Sequence, residues 1–211
     1  GVRLTDPAIP NWWFKINGEI VRNPVRPLLT SEELDALPFA DREMLYAAHE
    51  QSRRTMIMPF ITGRGCPYDC AFCFNTAYSD LYGGQGRRFR RRSPDNMIRE
   101  LKAVTAQYDV RFVLFMDDTF ILQDTWLNEF MSRYKAEITR DGASLPFWCQ
   151  VRANLVTDEK IALFKDAGCV SVSFGLETGN DQLRNVILNR NMSREEILGA
   201  AEILRKHGIA F

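Results

Sequence analysis

The 211-residue chain has no excess charge of either sign: Lys plus Arg is 27, Asp plus Glu is 27, and the pI is near 6.9. That balance excludes a generally basic nucleic-acid binder or a membrane-surface protein, while leaving room for a local basic patch. No apolar run approaches the ~18 residues of a membrane span. Residues 1–15 also lack the basic start and apolar stretch of a secretory signal. Histidine is scarce, and neither His49 nor His207 stands at a metal or triad spacing. The cysteines do not make up pairs either. There are five, an odd count, and three of them fall within the eight residues from Cys66 to Cys73. Such a pattern suits a metal centre better than disulfides and points to a reducing cytoplasm. The hydrophobic share of 45% is that of an ordinary globular chain, large enough to build a core without covalent staples. The chain begins with Gly1 and stops at Phe211 inside an expected strand, so a longer protein is expected around it.

Five of the nine prolines lie in residues 1–52, together with Trp12 and Trp13. This part reads as an irregular linker packed on a main domain at 53–211. A helical turn is expected from Ser31 to Leu34, and a helix capped by Asp41 running to Ala48.

From Arg53 onward strands and helices alternate. Strands are expected at 56–61, 112–116, 147–151, 170–174 and 209–211. Ser93-Pro94 supplies an N-cap and a first-turn proline to a helix with Met97, Ile98, Leu101, Val104 and Tyr108 on one face. Asp124 and Thr157 are expected to cap the next two helices. Ser193 with Glu196 forms a capping box for the last, which Gly208 stops. Repeated strand–helix units imply a parallel sheet, either open and doubly wound or part of a barrel, with chemistry at the carboxyl ends of the strands.

The strand faces favour the barrel. Gln150, Arg152 and Asn154 share one face of the third strand. Ser171, Ser173, Gly175 and Glu177 share one face of the fourth, opposite Val170, Val172, Phe174 and Leu176. Parallel strands buried on both sides are apolar on both. Two neighbouring polar faces fit an interior that holds a cofactor, where hydrogen-bonded core polar groups are the alternative.

Directly after the first strand comes Cys66-Pro67-Tyr68-Asp69-Cys70-Ala71-Phe72-Cys73, a Cys-x3-Cys-x2-Cys loop. Three thiolates on one short loop can hold three corners of an iron–sulfur cubane and leave the fourth iron open to a small ligand. Cys149 and Cys169 read as core residues. A structural zinc site would need a fourth ligand, for which only His49 or His207 is at hand.

The stretch Arg64 to Cys73 resembles the signature loop of the radical S-adenosylmethionine (SAM) enzymes. Arg91-Arg92-Ser93-Pro94, residues 115–120, Ala167-Gly168-Cys169 and Phe174-Gly175-Leu176-Glu177-Thr178 are similar to the subgroup with an N-terminal cobalamin-binding domain. Residues 23–28 and 37–41 resemble the linker that joins that domain to the barrel. The resemblance implies a partial TIM-like (β/α)6 barrel, of which about five parallel strands are present. It implies an enzyme that carries a 4Fe-4S cluster on Cys66, Cys70 and Cys73 and cleaves SAM reductively to a 5′-deoxyadenosyl radical. That radical abstracts hydrogen from a small-molecule or natural-product substrate. Cobalamin-dependent C-methylation or radical rearrangement would follow, with cobalamin held by a domain elsewhere in the same protein. A ferredoxin or flavodoxin would serve as electron donor. Cobalamin-independent methylthiolation or oxidation, and a zinc-stapled binding module, are the alternatives.

By the same resemblance Phe72 matches the aromatic residue that lies against adenine. Asp117 and Asp118 stand where the family binds the SAM ammonium, one of the two facing inward, in place of the usual Gly-Gly-Glu. Arg152 matches a partner for the SAM carboxylate, or else pairs with Asp117 or Glu177. Glu177 is placed to meet ribose hydroxyls or the SAM amino group, or to cap a helix. The basic run Arg87 to Arg92 either meets an anionic group of substrate or corrin, or lies solvated ahead of its helix.

Overall fold

The computed structural model describes residues 9–49, 51 and 54–211. Residues 9–49 hold more structure than their prolines suggest. β1 (Trp13–Ile16) and β2 (Glu19–Arg22) pair antiparallel. Asn17 and Gly18 both take positive φ (50° and 88°) in the two-residue turn between them, the Asn-Gly geometry that matches strand twist in a hairpin. α1 (Ser31–Asp35) follows, closed by a Thr30–Glu33 capping box, and α2 (Arg42–Ala48) starts where the Asp41 side chain accepts from Met44 N at 3.1 Å. Tyr46 of α2 is buried in the main core.

The body then runs through β3 (Ile57–Phe60), β4 (Gly63–Arg64), α3 (Phe74–Tyr82), β5 (Arg90–Arg91), α4 (Pro94–Gln107), β6 (Phe112–Phe115) and α5 (Asp124–Glu137). β7 (Thr139–Arg140), β8 (Ala143–Ser144), β9 (Phe147–Gln150), α6 (Asp158–Asp166), β10 (Cys169–Ser173) and α7 (Arg194–Lys206) complete it. The central sheet is parallel throughout, in the order β3-β6-β9-β10. Each strand therefore lies beside its predecessor in the chain. A doubly wound sheet would reverse that order at a switch point; this sheet winds in one direction, as a barrel wall does. Of the strand expected at 209–211 the structure shows a single parallel bridge, Ala210 to Ser171. Among the described residues the sheet does not close into a full barrel.

One face of the sheet is sealed. Met58, Phe60, Val113, Phe115, Phe147, Cys149 and Val172 are buried against α4, α5 and α6 residues such as Met97, Leu101, Phe130, Tyr134, Ile161 and Phe164. Each large side chain of that kind contributes about 1.5–3 kcal/mol by leaving water. The opposite face, carrying Trp148, Gln150, Ser171 and Ser173, stays accessible. The register shifts at a bulge between Cys169 and Ser171, so that Cys169 and Val172 share the sealed side and Val170 is exposed. Simple alternation had put Val170 on the same face as Val172.

The caps read from sequence at Ser93, Thr157 and Ser193 form. Asp124 does not cap its helix: Gln123 stands at the cap, and the Asp124 carboxylate pairs with Lys160 at 2.8 Å. No helix among the described residues is long and apolar enough to cross a membrane.

Candidate cofactor site

Where β3 ends, the chain enters the short antiparallel pair β4–β5, and the cysteine loop hangs between these two strands. Gly65 opens the loop at φ 77°, and a Cβ there would collide with the Arg88 carbonyl oxygen, so only glycine fits. The loop is held at both flanks. Asp69 pairs with Arg88, Ala71 N donates to Leu188 O (3.0 Å), and Asn189 Nδ2 donates to Asp69 O (2.8 Å). Cys73 is the N-terminal residue ahead of α3, a helix the sequence reading had left out. The positive end of that helix favours negative charge at this point.

Cys66, Cys70 and Cys73 all line one cavity of about 490 Å³. Its other walls come from the carboxyl ends of the central strands: Asp118 and Thr119 after β6, Trp148, Gln150 and Arg152 from and after β9, and Ser173, Gly175 and Glu177 from and after β10. Phe72 and Arg190 also line it. Trp148 Nε1 donates to Ser173 Oγ at 3.1 Å, tying β9 to β10 on the open face. The Cys66 sulfur lies 3.5 Å from Thr119 Oγ1, and Asn75 Nδ2 donates to the Cys73 sulfur at 3.7 Å.

Two arginines converge on Cys70. Arg152 (5% exposed) donates from Nη1 to the Cys70 sulfur at 3.5 Å, from Nε to Asn154 Oδ1 at 2.9 Å, and from Nη2 to the Arg190 carbonyl; its guanidinium lies 3.9 Å from the Tyr68 ring centre. It pairs with neither Asp117 nor Glu177. Arg190 (8% exposed) donates from Nη1 to the same sulfur at 3.6 Å and from Nη2 to Gly175 O at 2.7 Å. Arg190 was not foreseen. It sits between Asn189 and Asn191, both at positive φ (50° and 48°), a conformation asparagine tolerates. The buried Arg184, which bonds Met192 O and Thr178 O, folds this segment back onto the loop. Glu177, at φ 63°, lies over Gly175 with its Oε1 3.9 Å from Arg190.

The two aspartates at the end of β6 part company. Asp118 lines the cavity. Asp117 (2% exposed) turns away from it: its oxygens accept from Thr62 N (3.1 Å), Thr62 Oγ1 (2.6 Å) and Gly63 N (2.7 Å), and Arg91 Nη2 stands 3.9 Å away. Burial raises the Asp117 carboxyl, opposed by Arg91 and by the bonds from Thr62 and Gly63. Burial pushes Arg91 down to about 10, opposed by Asp117. Arg91 also donates to Thr62 Oγ1, Leu122 O and Phe120 O and stacks on Trp126. Arg90 is buried and bonds Arg87 O and Arg88 O, while Arg92 bonds Asn96 and Glu100. The basic run is therefore not an open patch. Pairing of β5 with β4 buries the middle of it, and the guanidiniums of Arg90 to Arg92 serve the fold.

The donor set fits a thiolate-bound cluster. Among the described residues no three His, Cys, Asp or Glu side chains converge as a single metal ion requires. Three separate thiols around one roomy cavity suit a multi-iron group in which each sulfur takes a different iron. Cys149 and Cys169 cannot add a fourth thiolate from where they lie, buried together in the core at 0% and 1% exposure. Burial pushes the Cys149 thiol well up, as befits an inert core residue.

Known proteins resemble this chain in sequence and in fold. Residues 60–211 match the model of the Radical SAM superfamily. An uncharacterized methyltransferase of Pyrococcus horikoshii is 25% identical over 196 residues, covering 93% of this chain and 40% of the relative. The anaerobic magnesium-protoporphyrin IX monomethyl ester cyclase of Rubrivivax gelatinosus is 27% identical over 199 residues, covering 92% of this chain and 33% of the relative. The solved structure of OxsB, a cobalamin-dependent SAM radical enzyme with aqua-cobalamin and SAM bound, superposes with a TM-score of 0.71. Its 18% identity, over 98% of this chain and 29% of that one, makes this a likeness of fold. The chain thus spans two fifths or less of the length of these proteins.

Proposed function

The chain belongs to the Radical SAM superfamily, and on that premise we propose that it is the cluster-bearing core of a cobalamin-dependent enzyme that methylates carbon or rearranges a small-molecule substrate. The observation that supports this most is the convergence of Cys66, Cys70 and Cys73 on one cavity at the carboxyl ends of a singly wound parallel sheet. The methyltransferase and cyclase among the relatives, and the cobalamin in the structural neighbour, support the finer reading. The cobalamin would be carried by another domain of the same protein, and the electron would come from a ferredoxin or flavodoxin.

Cys66, Cys70 and Cys73 would hold a 4Fe-4S cluster, which when bound would supply the electron for reductive cleavage of SAM. The protein's own residues bind and orient. Asp118 offers the carboxylate that suits an ammonium group in the cavity. Phe72, half exposed on the loop, offers a flat face to adenine. Glu177, Gln150 and Ser173 offer acceptors and donors to hydroxyl groups, and Arg152 supplies positive charge on the side where a carboxylate is to be held. Asp117 acts one layer behind. By fixing Thr62 and Gly63 it sets the point from which the cysteine loop departs.

Anaerobic reconstitution with iron and sulfide tests this reading. The expected result is a brown protein with about four irons, a paramagnetic signal after dithionite, and release of 5′-deoxyadenosine and methionine from SAM. A protein that takes up no iron, or that binds a single zinc, overturns the assignment. A full-length protein purified without any corrin, and unable to bind added hydroxocobalamin, removes the cobalamin part alone.

A further inference from the structure

Arg152 and Arg190 are both more than nine-tenths buried, and among the described residues a single carboxylate, the partly exposed Glu177, stands at ion-pair distance from the pair. Among the described residues no carboxylate reaches Arg152 at ion-pair distance; its partners are an amide, a carbonyl, a ring and a sulfur. Arg190 has only Glu177, at 3.9 Å, and its buried Nε has no hydrogen-bond partner. Two buried guanidiniums with one carboxylate between them leave a positive charge uncompensated, and that excess points to a further anion that belongs between them. Both aim an Nη1 at the same atom, the Cys70 sulfur. Neither arginine is adjacent to Cys70 in sequence: one comes from the end of β9 and the other from the segment before α7.

We propose that Arg152 and Arg190 form a guanidinium clamp on the Cys70 thiolate that raises the reduction potential of the cluster it ligates. This rests on the cluster assignment above. Reduction adds one electron to a group that is already anionic through its thiolates. Donors and positive charge at a ligating sulfur stabilise the reduced form more than the oxidised one, and hydrogen bonds to the sulfurs and net charge are known levers on such potentials. The same charges help retain the anionic cluster. Arg190 acts here through the sulfur and is a positioning and electrostatic residue; its bond to Gly175 O makes it respond as well to how the β10 loop is placed.

The test is a dithionite titration followed by electron paramagnetic resonance on the reconstituted chain, comparing the wild type with Arg190→Gln, Arg190→Lys and Arg152→Gln. The expected result is a midpoint more negative in each Gln variant by at least a tenfold drop in the reduced-to-oxidised ratio at fixed potential, about 59 mV for one electron. Arg190→Lys, which keeps the charge, should stay closer to the wild type than Arg190→Gln. Equal midpoints in the wild type and both Gln variants would overturn the clamp, as would Lys and Gln variants shifted alike. Should a Gln variant fold, by circular dichroism, yet hold no cluster, retention of the cluster by Arg190→Lys supports the clamp. Loss of the cluster in both Arg190 variants overturns it in favour of a purely structural arginine. A wild type that takes up no cluster at all would instead sink the functional assignment, so the two failures are distinguishable.

Discussion

Two polar clusters stand at the carboxyl end of the same sheet and obey opposite rules. Around Asp117 the books close: carboxylate, Arg91, Thr62 and the Gly63 amide satisfy one another, and Trp126 and Phe120 seal them from water. Around Cys70 they do not. Two guanidiniums face a sulfur, one nitrogen is orphaned, and a cavity of about 490 Å³ lies alongside. A self-satisfied buried network rigidifies a fold, whereas a charged and unbalanced one waits for a ligand. The closed cluster positions the root of the cysteine loop, and the open one borders the cavity that the three cysteines line.

The sharpest way to break this comparison is to remove cysteines from each kind of place. Cys70→Ala should take the reconstituted protein from about four irons to essentially none, measured by iron and sulfide assay. Cys149→Ala, in the sealed core, should keep full iron and lose about 1 kcal/mol of stability. Equal iron loss in the two would mean that the core cysteine is a ligand and that the open cluster is misread.

Next in size is the stability contrast between the clusters themselves. Asp117→Ala leaves Arg91 buried without its carboxylate and should cost about 3–5 kcal/mol in denaturant unfolding of the metal-free protein. Arg190→Met removes a buried charge whose one carboxylate neighbour, Glu177 at 3.9 Å, is itself partly in water and can be solvated when left alone. The lost bond to Gly175 O is offset by relief of that charge, and the net cost should stay under about 1.5 kcal/mol. Similar costs for both substitutions would show that the Cys70 cluster is as self-satisfied as the other.

Much of the scaffold was legible because it is written locally. Ser93-Pro94 and the Ser193–Glu196 box name their helix starts, and the four central strands show as apolar runs between them. The cysteine spacing marked the loop. What escaped is set by distance in the chain. Nothing near Arg190 says that its guanidinium returns across 120 residues to Cys70. The choice between Asp117 and Asp118 turns on a hydrogen bond to Thr62, 55 residues away, at the point where strand alternation stops being a guide. The basic run left two readings open, an anion-facing patch or a solvated one, because the β4–β5 pairing that buries Arg90 and Arg91 joins two-residue strands, too short to leave a pattern. The β1–β2 hairpin, by contrast, was legible in Asn17-Gly18 and was masked only by the prolines around it.

The smallest contrast isolates why Gly65 is glycine. Gly65→Ala meets two penalties, a left-handed backbone at φ 77° and the Arg88 carbonyl in the space a Cβ would fill. Gly18 in the β1–β2 turn has the first penalty without the second: φ is 88° and nothing lies within 4 Å of a Cβ. Gly18→Ala should therefore cost about 1 kcal/mol and leave iron uptake untouched. Gly65→Ala should cost about 1–3 kcal/mol from the backbone alone, more from the collision, and should lower iron retention by shifting Cys66. Both are read by thermal unfolding and iron content on the same preparations. If the two alanines cost the same and both keep their iron, backbone conformation accounts for Gly65 entirely. The close approach of the loop to β5 would then not be what holds Cys66 at the cavity.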